Sequence, residues 1–342
     1  MKERILFSQE LIKDIFDYQY LDMPLLGVYS YFDNKFKEMF DEYSNLFDIK
    51  NNFFYIQNNN QCNAYAKKSN GRNIIAITNG YPILMNDKFK KNIFDKFILL
   101  GIINDRDISD AFCDLQGNAD FQFDKFVLDC SIQFTFSHEF QHILQMNYGV
   151  KDILFQENFE LHEFDLRRHI WEYDADRMAS YEVLKLVYSY FRKLKSQNDG
   201  NLKCLLILGC TSMLLTKCLF YFGIMNQVGP NYKIMKSDFY LKQYSHPHPL
   251  VRIFNILEFY YDNMINDFPK LNMDSQTLLN SCMGALKVYF DSILPDNALI
   301  KFLFDDLELY IDDINKYNLE LYNFAIQDEA VKNVLDFRNI EY

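Results

Sequence analysis

The sequence predicts an α+β protein that is mainly α-helical, with one small β-sheet. Apolar residues recur at helical spacing over most of the chain, for example Phe32, Phe36, Met39 and Phe40. One stretch, 52–80, switches to short β-type runs separated by turn residues. The 11 Gly and 7 Pro are too few for a loop-rich or solenoid-like β fold. A chain of 342 residues buries a large core and has room for more than one region. The expected divisions are an N-terminal helical segment (1–50), a central core (51–260) and a C-terminal helical region (261–342).

In chain order, residues 8–20 and 30–47 carry helical spacing, and Met23-Pro24-Leu25-Leu26-Gly27 between them is the expected break. Phe53-Phe54-Tyr55-Ile56 reads as a strand and the Asn-rich 58–60 as a turn. Cys62–Ala66 and Ile74–Thr78, joined through Ser69-Asn70-Gly71, form a hairpin that Gly80 and Pro82 close off. Residues 83–115 look helical with breaks, and Asp114 to Asp120 is a loop. A long helix is expected from near Asp124 to about Tyr148, stopped by Gly149. Another opens at Ile170, runs through Phe191 and is ended by Asn198-Asp199-Gly200.

Residues 202–225 are strongly apolar, and two readings are open. Lys203 and Lys217 interrupt the run, and its longest uncharged part, Cys204–Thr216, falls short of the ~20 residues that span a bilayer. A buried helix is therefore favoured over a membrane segment. Residues 254–342 are helical and acidic, suited to packing or to partner binding.

The net charge of −12 argues against a general nucleic-acid or anionic-membrane partner. Seven cysteines, an odd number with no C-x-x-C pair, suit a reducing compartment and argue against a thiolate zinc site. The first ten residues hold no long apolar run, so no secretory signal is expected and the cytoplasm is the expected location.

The chemistry concentrates in Phe136-Ser137-His138-Glu139-Phe140-Gln141-His142, which holds His-Glu-x-x-His inside an apolar helical run. His138 and His142, four apart, share one helix face and can bind one Zn²⁺, with Glu139 beside them as candidate general base. Such a site needs a third protein ligand and leaves a position for water. Glu172, in Trp171-Glu172-Tyr173-Asp174-Ala175-Asp176, fits as that ligand. Asp176, one turn later, can accept a hydrogen bond from the far nitrogen of a ligand histidine and fix its tautomer. Ala175 and Ala179 permit close helix contact. The alternative is an acidic solvated face. Downstream, Ser245-His246-Pro247-His248-Pro249 is forced into an extended path by its two X-Pro steps, and His246 and Arg252 can return to a cleft.

Taken together these residues resemble a known group. His-Glu-x-x-His, then Glu-x-x-Ala-Asp, then His-Pro with Arg six residues after the His, is the pattern of HtpX-type gluzincin metallopeptidases. Asn63-Ala64-Tyr65-Ala66 and Ile75-Ala76-Ile77-Thr78-Asn79-Gly80 look like the strands that precede the zinc helix in that group. The resemblance covers about residues 53 to 257 and implies a zincin-like core. Within the class the chain looks most like the Lit-type phage-exclusion peptidases, given the short gap from His142 to Glu172 and the single apolar helix. That resemblance implies a soluble, intracellular, latent zinc endopeptidase triggered during phage infection by a phage or host factor, with a translation elongation factor as target. It favours His246 as oxyanion electrophile and Arg252 as its charge support, with His248 an alternative to His246, and lets the Asn63–Ala66 strand bind substrate backbone at the sheet edge. A non-catalytic zincin-fold sensor and a membrane-embedded protease similar to HtpX are the rival expectations.

Overall fold

The computed structural model describes residues 14–90, 93–94, 106–149, 163–229, 231–295, 298–338 and 340. The chain is mainly helical with one three-stranded sheet, as expected. By its contacts it forms two compact units, Met1–Lys88 and Phe89–Tyr342, whereas the sequence suggests boundaries near 50 and 260.

In the first unit, helix α1 spans Met23–Leu46. The expected break at Met23–Gly27 is instead its first turn. Pro24 sits at the start of the helix, where an N–H has no intrahelical partner to lose and the fixed φ suits the helix. Phe32, Phe36 and Phe40 form its buried stripe. Phe36 stacks on Phe54 of strand β1 (Asn52–Gln57) with ring centroids 5.2 Å apart. Strands β2 (Ala64–Ser69) and β3 (Arg72–Thr78) make the expected hairpin. Asn70 and Gly71 both take positive φ, 50° and 72°, the signature of a two-residue turn whose twist matches the strands.

The sheet order is β1-β3-β2, with β1 parallel and β2 antiparallel to β3. Ile74 to Ile77 are buried on both faces, as a central strand requires. Gly80 opens helix α2 (Gly80–Phe89); a Cβ there would lie 2.1 Å from the Asn60 carbonyl oxygen, so the exit from the sheet needs glycine. The helical expectation for 8–20 is corrected where it can be seen. Ile15 bridges Gln57, and Phe16 N–H donates to the Ile56 carbonyl at 2.8 Å, so this stretch satisfies its backbone along the β1 edge. Residues 8–13 of that expectation, and 91–92 and 95–105 of the helical expectation for 83–115, lie outside the described residues.

The second unit is helical: α3 (Arg106–Gln116), α4 (Phe123–Tyr148), α5 (Leu166–Lys193), α6 (Asp199–Tyr221), α7 (Pro249–Asp267), α8 (Ser275–Ile293), α9 (Leu299–Ala325) and α10 (Glu329–Arg338). In α4, 20 of 26 residues are buried, which marks it as an element enclosed on every side rather than a surface helix. α5 packs along α4, with Ala175 and Ala179 fully buried. Side-chain bonds join Gln141 to Asp174 and Gln145 to the Trp171 carbonyl, and His138 meets Asp176. The partners descend in α5 as they ascend in α4, so the two helices are antiparallel.

α5 ends at Lys193, earlier than expected. Asn198 instead caps the next helix, its side chain accepting from Asn201 N–H. That helix, α6, is long and apolar enough to cross a membrane by length and composition. It packs against α3, α4, α5, α7 and α8, and 89% of its most apolar window is buried among them. Enclosure within the unit accounts for its apolarity. Among its described residues the connection from α6 to α7 has no helix or strand, and it is strapped to α9. Lys236 pairs with Asp306 at 2.5 Å, Lys242 pairs with Glu320 at 2.6 Å, and Phe239 stacks on Tyr310 with centroids 4.1 Å apart.

Candidate metal centre

α4 presents His138 and His142 one turn apart, and antiparallel α5 brings Glu172 across to them. His138 Nε2 and His142 Nε2 lie 3.2 Å apart. Glu172 Oε2 is 3.3 Å from the first and Oε1 is 3.4 Å from the second. One ligand atom from each of the three residues lies within 4.8 Å of the others, close enough to share one ion. Among the described residues this is the one group of three whose ligand atoms can hold a metal ion. The acidic-face alternative for Glu172 and Asp176 is set aside, since both are buried.

The donor atoms fit a cation on a second count. The His142 Nδ1 faces Gln145 Oε1 at 2.8 Å; an amide oxygen only accepts, so Nδ1 carries the hydrogen, and once the ring gives up its other proton the Nε2 lone pair faces inward. His138 Nδ1 lies 3.1 Å from Asp176 Oδ1, which aims its Nε2 inward too. Two ring nitrogens and a carboxylate then converge, and Glu172 Oε2 is buried with Arg252 Nη2 2.9 Å away. Such a cluster draws positive charge, part of which Arg252 supplies from one side.

Electrostatics follow from the same packing. Burial works against a charge on His142, but Glu172 and then Glu139 outweigh it and push its pKa up to about 9. Burial raises Glu139; the two histidines and Arg252 only partly offset this. Burial would raise Glu172 as well, yet Arg252, His138 and His246 hold it well below the usual carboxylate range. Asp176 is fully buried and is likewise held low against burial, by Arg252 and then Lys217. Arg252 grips it with Nε on Oδ2 at 2.6 Å and Nη2 on Oδ1 at 2.7 Å.

The other expected site residues separate clearly. His246 Nε2 is 3.5 Å from Glu172 Oε1 and its side chain is 56% exposed, so it stands at the mouth of the group. Arg252 lies inside, 2.9 Å from Glu172 Oε2. His248, the alternative to His246, is fully buried and caps α7, its Nδ1 accepting from Leu250 N–H at 3.2 Å. Ala64, Tyr65 and Ala66 lie in β2, an edge strand of the first unit; Asn63 precedes the strand and bonds Thr78.

Two contributors escape sequence reasoning. Lys217 Nζ reaches Asp176 Oδ1 at 3.4 Å and lies over the Phe134 ring, 5.1 Å from its centroid. In the sequence it reads only as an interruption of an apolar run. Gln145 was detectable in principle, three residues after His142 and therefore on its helix face.

Comparison of the chain with family models, with curated proteins and with solved structures finds no match.

Proposed function

We propose that the protein is a zinc-dependent endopeptidase on a zincin-like core, with His138, His142 and Glu172 as ligands. The observation that carries this is the convergence of three ligand residues, with the imidazole Nε2 atoms 3.2 Å apart, one Glu172 oxygen 3.3 Å from the first and the other oxygen 3.4 Å from the second, and with the buried Glu139 one residue from His138. A zinc ion held there supplies Lewis acidity, lowering the pKa of water toward neutrality and polarising a carbonyl.

Glu139 takes a proton from the attacking water as its oxygen bonds to the scissile carbonyl carbon. When the C–N bond breaks, the same carboxyl gives that proton to the departing amine. His246, exposed and mounted on the α6–α7 strap, is the donor available to the developing oxyanion. Arg252 is already committed to Asp176 and Glu172 and acts as charge support. Asp176 orients His138.

By the resemblance to Lit-type peptidases, we place the activity in the cytoplasm during phage infection, with a translation factor the first substrate to try. The test compares cells expressing wild type and Glu139→Gln by proteomic mapping of new protein termini. Wild type alone should generate a discrete set of neo-termini, with Glu139→Gln at least 10²-fold weaker on the same bond. Identical terminus maps from the two proteins would refute the peptidase assignment.

A further inference from the structure

The C-terminal helix reaches the metal centre through an unbroken line of polar side chains. His142 Nδ1 donates to Gln145 Oε1 at 2.8 Å. Gln145 Nε2 donates to Asp174 Oδ2 at 2.7 Å and to the Trp171 carbonyl at 3.1 Å, which uses both of its hydrogens. The same Asp174 oxygen accepts from Gln141 Nε2 at 2.8 Å. Gln141 Oε1 in turn accepts from Arg338 Nη1, in the last turn of α10, at 3.1 Å. Arg338 is closed off by Glu182 of α5, with Nη2 to Oε1 at 2.5 Å. Gln141, Gln145 and Asp174 are essentially inaccessible to water.

The direction of every bond is dictated by charge. An amide can be flipped, and a flipped Gln145 would offer an N–H to the His142 Nδ1. That would require a lone pair at Nδ1 and would put the proton on Nε2, the nitrogen that faces Glu172. The Asp174 carboxylate only accepts, so it draws the amide nitrogens of both glutamines toward itself. The Arg338 guanidinium only donates, so it draws the Gln141 oxygen the other way. The two charges thus hold both amides in one orientation. The close seating of α10 on the end of α4 supports the line: Asn333 Nδ2 donates to the Tyr148 carbonyl at 2.8 Å, and a Cβ on Gly149 would sit 3.0 Å from that of Ala330.

We propose that Asp174 and Arg338, acting through Gln145 and Gln141, are positioning residues that fix the tautomer of His142, so that α10 is part of the metal centre. This rests on the metal reading above. Orientation of a ligand histidine by its outer hydrogen bond is worth about 10- to 100-fold in metal affinity.

The test uses the full chain, zinc affinity by competition with a chelator, and NMR detection of the His142 Nδ1–H in the zinc-loaded protein. The variants are Gln145→Leu, the double change Arg338→Met with Glu182→Met, and His142→Ala. The double change removes the arginine together with the carboxylate it pairs with, which Lys185 also meets at 3.0 Å. Wild type should bind one zinc that His142→Ala loses. Gln145→Leu and the double variant should each bind about 10- to 100-fold more weakly, with the Nδ1–H signal shifted and its protection from exchange reduced. A purely structural role would lower thermal stability and leave that signal where it is.

Wild-type affinity and an unchanged Nδ1–H in both variants would overturn the proposal while the metal reading stands. Weakening in Gln145→Leu alone would overturn the part given to Arg338. Absence of zinc binding by wild type would remove the metal reading and the proposal with it.

Discussion

Arg252 and Asp176 form a two-pronged ion pair, 2.6 and 2.7 Å long, with Asp176 fully buried, Arg252 largely so, and Glu172 one helical turn from Asp176. The same Nη2 that bonds Asp176 lies 2.9 Å from Glu172 Oε2. One guanidinium therefore neutralises two carboxylates that burial would otherwise expel. Arg252→Met should destabilise the metal-free protein by about 3–5 kcal/mol, the cost of stranding a buried charge. Arg252→Lys should recover little, because an ammonium cannot make the two parallel bonds. Urea unfolding of the metal-free proteins measures this, and a loss below about 1 kcal/mol for Arg252→Met would contradict it.

The pKa of His142 sets a pH signature. Its value of about 9 in the folded, metal-free protein stands above its ordinary 6.5, so the folded chain holds the extra proton more tightly. That contribution to stability is complete below pH 6.5 and fades as pH rises through 9. Zinc must displace this proton, so its apparent affinity should climb with pH and level off near 9. Asp176 runs the other way. Its pKa is depressed, so its contribution is present above its ordinary 3.8 and disappears in acid. Zinc titrations from pH 6 to 10 read the first effect; a flat profile would count against it.

Lys217 tests whether every charge around Asp176 matters equally. Burial and then Arg252 lower its pKa to about 8 from 10.5, even though Asp176 pulls the other way. Its burial therefore costs stability at neutral pH, and that cost is relieved as pH rises from 8 to 10.5. Since Arg252 already supplies two bonds to Asp176, Lys217→Met should leave stability within about 1 kcal/mol of wild type at pH 7. The variant should also lack the alkaline relief. A loss as large as that of Arg252→Met would show that the two cations act as an inseparable pair.

The placement of His246 depends on a buried histidine of α5. His169, one turn before Glu172, donates Nε2–H to the Tyr244 carbonyl at 2.8 Å and accepts from the Tyr317 hydroxyl at 2.8 Å. Tyr244 is two residues from His246, so α5 carries both Glu172 and the tether of the strap. His169→Phe should leave zinc stoichiometry intact and lower kcat about tenfold or more, with His169→Gln retaining a donor and falling between. Equal kcat in all three proteins would show that the strap holds itself.

How much of this was legible beforehand depended on sequence distance. His138, His142, Glu172 and Asp176 could be placed because helical periodicity alone puts each pair on one face, and because two small residues signal close helix contact. His246 and Arg252 are signalled by the two X-Pro steps only as residues that can return to a cleft; their roles come from the resemblance, since no periodicity links them to α5. Lys217, Asp174 and Arg338 were not legible: each gains its role from a partner on a helix distant in the chain, and nothing in its own neighbourhood points to that partner. Pro24 and Asn198 were read as breaks although both begin helices. A proline and a short polar side chain are equally suited to ending one element and starting the next, and only the following residues decide.

The central claim is that His138, His142 and Glu172 share one cation. Diffraction from zinc-loaded crystals on either side of the zinc absorption edge tests it most directly. The account predicts a single strong anomalous peak about 2.0–2.2 Å from His138 Nε2, His142 Nε2 and one Glu172 oxygen. A peak bound elsewhere, or none at this triangle at saturating zinc, would contradict it.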